Sequence, residues 1–93
     1  MNENEIVFHG MTIPDYMAGG LTRYIEDGIE PGDFLSAVIC NDLAEAVGRA
    51  DSANIKNIPA YVFYLYNYAP SSCWGSREKM DAYMKAKAEE RNG

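Results

Sequence analysis

The turn signal Pro31-Gly32, followed by Asp33, opens a run whose apolar residues return at helical spacing. That run constrains the fold more than any other part of the chain. Proline presets the turn and Asp33 supplies a capping carboxylate, which predicts a helix over 33–51. At about 100° per residue from Phe34, the residues Leu35, Val38, Ile39, Leu43, Ala46, Val47 and Ala50 sweep an arc of about 220°. A helix apolar over so much of its circumference must be covered by other elements, so it belongs inside a bundle. Three polar residues interrupt the pattern. Asp42 falls near ~80° and Arg49 near ~60°, inside the arc, with Glu45 at about 20° on its edge. Glu45 and Arg49 are also an i, i+4 pair.

The flanking segments read as the covering helices. Thr12-Ile13-Pro14-Asp15 has the form of a helix start, with Thr12 as N-cap and Pro14 in the first turn, and Gly28 is the natural stop. Inside this first helix Gly19-Gly20 marks either a weak helix or a close backbone approach. A third helix, entered through Asp51-Ser52-Ala53-Asn54, runs to about Tyr68, with Pro59 starting its regular part or kinking it. Ile58, Val62, Leu65 and Ala69 form one stripe, expected to face the core; Tyr61, Tyr64 and Tyr68 form a second, expected to meet another subunit. The β-formers from Tyr61 to Tyr66 make a strand the rival expectation. Ser76 caps a last helix over 77–91, and residues 87–93 are a tail that frays. Residues 1–11, with the short apolar run Ile6-Val7-Phe8, are an extended arm or an edge strand. The expected architecture is all-α: one domain over 1–93, built of about four helices and a short N-terminal arm.

Chain length permits nothing larger. Surface scaling for 93 residues gives roughly 5,400 Å² folded, with about 64% of the extended chain's surface buried, enough for one modest core. Charge then limits the partners. The net charge is −6, from 8 Lys plus Arg against 14 Asp plus Glu. Nucleic acid and anionic membrane are both disfavoured as partners. Residues 1–54 hold 10 acids and 2 bases, a balance of −8, while 55–93 hold 4 acids and 6 bases, a balance of +2. The asymmetry fits either a solvated basic helix face or a contact between acidic and basic surfaces of two copies. The acidic start Met1-Asn2-Glu3-Asn4-Glu5 does not read as a secretory signal, so a cytoplasmic location is expected. Cys40 and Cys73 make no framework and, with one histidine, no zinc cluster; both are expected reduced, a single bridge between them being the alternative.

No nucleophile–base set, P-loop or G-x-G-x-x-G run is present, so neither an enzyme nor a cofactor or metal is expected. Asp42 and Glu45 are either paired carboxylates for a ligand or the neutralising partners of Arg49. Arginine beside an aromatic ring suggests binding instead, a guanidinium for phosphate or carboxylate and a ring for a base. That combination occurs at Arg23 with Tyr24, around Arg49, and at Trp74 with Arg77.

The run Pro31-Gly32-Asp33-Phe34-Leu35-Ser36-Ala37-Val38, with Asn41-Asp42-Leu43-Ala44-Glu45-Ala46 and Arg49-Ala50-Asp51, resembles the signature of a widespread family of small phage and prophage proteins. The likeness continues through Leu65-Tyr66-Asn67-Tyr68-Ala69-Pro70 and Cys73-Trp74-Gly75-Ser76. It implies phage origin, the host bacterial cytoplasm and a non-enzymatic accessory role against host defence. Two modes fit that context: sequestering a small nucleotide-type signal, which is the leading expectation, and binding a host defence protein as a homo-oligomeric inhibitor or adaptor. A structural protein of the virion is a third. Asn41, Asp42 and Arg49 are the expected centre of a ligand site, joined by Arg23, Tyr24 and Trp74.

Overall fold

The computed structural model describes residues 7–92. Val7–Phe8 (β1) and Met11–Thr12 (β2) pair antiparallel, with Val7 opposite Thr12 and Phe8 opposite Met11. The two-residue turn between them has positive φ at His9 (51°) and Gly10 (81°), the handedness that matches strand twist. The expected arm is thus a tight hairpin where it is described; residues 1–6 of it lie outside the described residues. Thr12 is its second strand rather than a helix cap, and its N–H donates to Asn57 Oδ1 at 2.9 Å. The helix begins two residues later, with Pro14 at the N-cap position and not in the first turn.

Five α-helices follow among the described residues: Asp15–Asp27 (α1), Asp33–Ile39 (α2), Leu43–Arg49 (α3), Ser52–Tyr68 (α4) and Arg77–Asn92 (α5), with a 3₁₀ turn at Ser71–Cys73. All-α is therefore the class, with one helix more than expected, because the 33–51 segment is two helices. Asn41 takes a left-handed φ of 62° after α2. Its N–H donates to Val38 O at 3.0 Å and that of Asp42 to Ala37 O at 2.8 Å, the paired closure that ends a helix. Asp42 then caps α3 by accepting from the Glu45 N–H at 3.3 Å. Stop and start sit on adjacent residues. At the front of α2, the N-cap is Gly32 and Asp33 is the first helical residue, where its charge suits the positive end of the helix.

Every residue from Phe34 to Ile39 is buried, making the short α2 the core of the domain. The α1 helix packs on it at Gly20, where Leu35 Cδ1 lies 3.5 Å from the position of an added Cβ, an ordinary contact distance. The α5 helix closes the other side: Met80 is fully buried, and the Tyr83 hydroxyl donates to the Ile25 carbonyl. The segment expected to fray remains helical to Asn92, and Arg91 reaches the Asp27 carbonyl; Gly93 lies outside the described residues.

Along α4, Pro59 lies within a continuous helix, and Asp51 caps it by accepting from the Asn54 N–H at 2.7 Å. Its core face is the expected one only in part: Leu65 is buried and Ile58 and Ala69 pack half-buried against the core, but Val62 is 42% exposed while Ala60 and Tyr61 are buried. Tyr61 goes inward because its hydroxyl donates to the buried Asn54 Oδ1 at 2.6 Å, two turns back on the same helix, while Phe34 meets its ring edge-on. The polar end is satisfied without water, so the large ring contributes its full apolar burial.

Candidate functional site

Of the expected ligand residues, Tyr24 is removed from any surface. It is fully buried, its ring 5.3 Å from that of Tyr83, and its hydroxyl donates to the Cys73 carbonyl at 2.7 Å. This corrects its assignment as a ligand contact; burial raises its pKa, and its hydroxyl serves the core. Tyr61 is corrected likewise as an oligomer contact. Of its two companions, Tyr64 is half-buried and stacks on the exposed Tyr68 at 5.7 Å.

The others do not converge. Arg23, exposed on α1, folds back over Gly19, where an added Cβ would stand 3.1 Å from its Nη1. Trp74 is half-buried and packs against the core after the 3₁₀ turn. Asn41 and Asp42 are spent on the helix boundary described above. Their polarity answers backbone geometry: asparagine tolerates the left-handed conformation and aspartate caps the next helix.

A polar cleft of about 230 Å³ forms between the start of α2, the α2–α3 corner and the start of α5. Asp33, Asp42 and Glu45 line it together with Arg49 and Arg77. The Arg49 Nε donates to Glu45 at 2.8 Å and its Nη1 to Asp33 at 3.1 Å, so one guanidinium ties the end of α3 to the start of α2. Hydrogen bonding to Glu45 and the two carboxylate charges hold its pKa above the ordinary arginine value. Arg77 lies 3.6 Å from Asp81. Each arginine therefore has carboxylate company, and Asp42 stands over as excess negative charge. Asp33 was missed as a cleft residue, and Arg77, singled out with Trp74, was not expected beside Arg49; nothing in local spacing brings either to it, only the packing of α2, α3 and α5.

Cys40 on the cleft wall is half-buried, and burial pushes its thiol pKa up, as it does for the fully buried Cys73. Both cysteines are free. A thiol held protonated is a poor nucleophile and a poor metal ligand. No metal-holding group of His, Cys, Asp and Glu occurs among the described residues. Nor is any helix among them long and apolar enough to cross a membrane. Compared with protein-family models, curated proteins and solved structures, the chain finds no match in any of the three.

Proposed function

We propose that the chain is a non-enzymatic accessory protein of the phage type that acts by docking on a basic surface of a host protein. Of the two modes implied by the resemblance, this is the inhibitor or adaptor. One observation carries it: the guanidinium best placed to grip a phosphate, Arg49, is already bound by Asp33 and Glu45. An anionic nucleotide entering the cleft would have to break those bonds and meet the Asp42 carboxylate as well. A cationic side chain of a partner meets Asp42, the cleft carboxylate that Arg49 does not pair, favourably. The acids Asp15, Glu26, Asp27, Glu30, Asp33, Asp42, Glu45 and Asp51 are all exposed, so the field extends beyond the cleft and steers a basic partner from a distance.

Two measurements test this. A thermal-shift panel of cyclic dinucleotides and ADP-ribose derivatives is expected to be flat, whereas a ligand at ~100 times its dissociation constant would add about 2.7 kcal/mol to stability. Poly-lysine, as a model basic partner, is expected to bind with strong salt dependence. Asp42→Asn, which keeps the α3 cap while removing the charge, should weaken that binding without loss of helix content. A nucleotide that raises the midpoint, or poly-lysine binding indifferent to Asp42→Asn, would overturn the proposal.

A further inference from the structure

We infer that two copies of this chain pair about a two-fold axis through α4, each inserting Tyr66 into a groove on the other. On α4, Ile55, Pro59, Val62 and Tyr66 succeed one another at intervals of 4, 3 and 4 residues, the seam spacing by which one helix packs along another. All four are exposed, with Ile55 at 40%, Val62 at 42% and Tyr66 at 78%. Three of the seam residues, Pro59, Val62 and the largely exposed Tyr66, also line an open apolar groove of about 570 Å³ that Phe8, Ile58 and Phe63 complete. A projecting ring and a hollow side by side on one face make that face complementary to itself, as a two-fold contact requires.

Charge selects a second copy as the occupant. Chains of net charge −6 repel one another, yet α4 carries a single charged residue, Lys56, among its 17. Two copies meeting there bury no like charge, while a basic partner finds no carboxylate on this helix to recognise. The face is also long. The helix is about 25 Å long at its usual rise. Exposed Leu43 of α3, which lies beside Ile58 and Val62, and Val47 of the same helix continue the apolar face beyond α4. The groove shares no lining residue with the acidic cleft, so dimerisation and docking on a basic host surface stand or fall separately.

The test is the solution mass of the full chain by analytical ultracentrifugation from micromolar to near-millimolar concentration. Wild type should sediment at about twice 10.4 kDa. Val62→Arg, charged at the centre of the seam, should return the monomer mass with an unchanged helical spectrum. Tyr66→Ala removes the inserted ring without adding charge, and should weaken the dimer by about tenfold or more, in the range of an interface hot spot. Ile29→Glu, at an exposed apolar residue after α1 that lines no part of the groove, should leave the dimer intact. A monomeric wild type, a dimer indifferent to both seam variants, or one dissolved by Ile29→Glu would each overturn the inference.

Discussion

At the scale of single residues, the core rests on hydroxyls that find partners indoors. Tyr61 and Asn54 satisfy each other in the interior, at 0% and 4% exposure. Tyr61→Phe leaves the Asn54 carbonyl oxygen buried without a donor and should destabilise the fold by about 1–3 kcal/mol, read from urea unfolding. Replacing Asn54 by Leu in the same chain should recover part of that loss, since two apolar groups leave nothing unpaired. Burial raises the pKa of both Tyr61 and Tyr24 well above the ordinary 10.0. A raised folded pKa means the contribution is fully present below the unfolded value and is lost as pH climbs beyond it. Stability should therefore fall above about pH 10, with part of the tyrosinate absorbance appearing only as the helical signal is lost.

Element boundaries show where local chemistry decides the chain's course. The Asn41-Asp42 pair ends one helix and starts another, the Asp42 carboxylate accepting from the Glu45 N–H three residues on. Asn41→Gly should be close to neutral, while Asn41→Val should cost about 1–2 kcal/mol for its left-handed conformation. Thermal unfolding of the two variants checks this. Asp51 links elements as well as capping one, since the Tyr16 hydroxyl of α1 donates to it at 2.6 Å. That bond and the Asn54 N–H hold its pKa below the ordinary 3.8. A depressed carboxylate stabilises above its unfolded pKa and loses that contribution as pH falls through the folded one. The difference in stability between wild type and Tyr16→Phe should thus be largest at neutral pH and shrink below about pH 4.

For the whole molecule, the surface divides into an acidic cleft and an uncharged helix face. Arg49 belongs to the first, as an exposed clip between α2 and α3 rather than a buried charge. Arg49→Ala should keep the helical fold and a nearly unchanged melting midpoint, because exposed ion pairs are screened and costly in side-chain freedom. Unmasking Asp33 and Glu45 should also strengthen poly-lysine binding. A fall in that binding would point to the arginine itself as the contact.

The all-α class, the stop at Gly28 and the cap at Ser76 were legible in local spacing, because helix ends and apolar periods are written within a few residues. The same locality made the break at Asn41 readable, although a strong apolar period on both sides concealed it. Angles counted across the break placed Asp42 and Arg49 on a common oily stripe that does not exist, since a helical phase is lost when the backbone leaves the helix. Which side of α4 turns inward was not local at all. Its circumference is apolar nearly throughout, and the choice fell to Phe34 and the pocket of α2, which admit Tyr61 and leave Val62 in water. Amino-acid order thus determined where helices begin and end. Packing alone decided which faces meet, because burial is a property of pairs of surfaces and no single segment contains both.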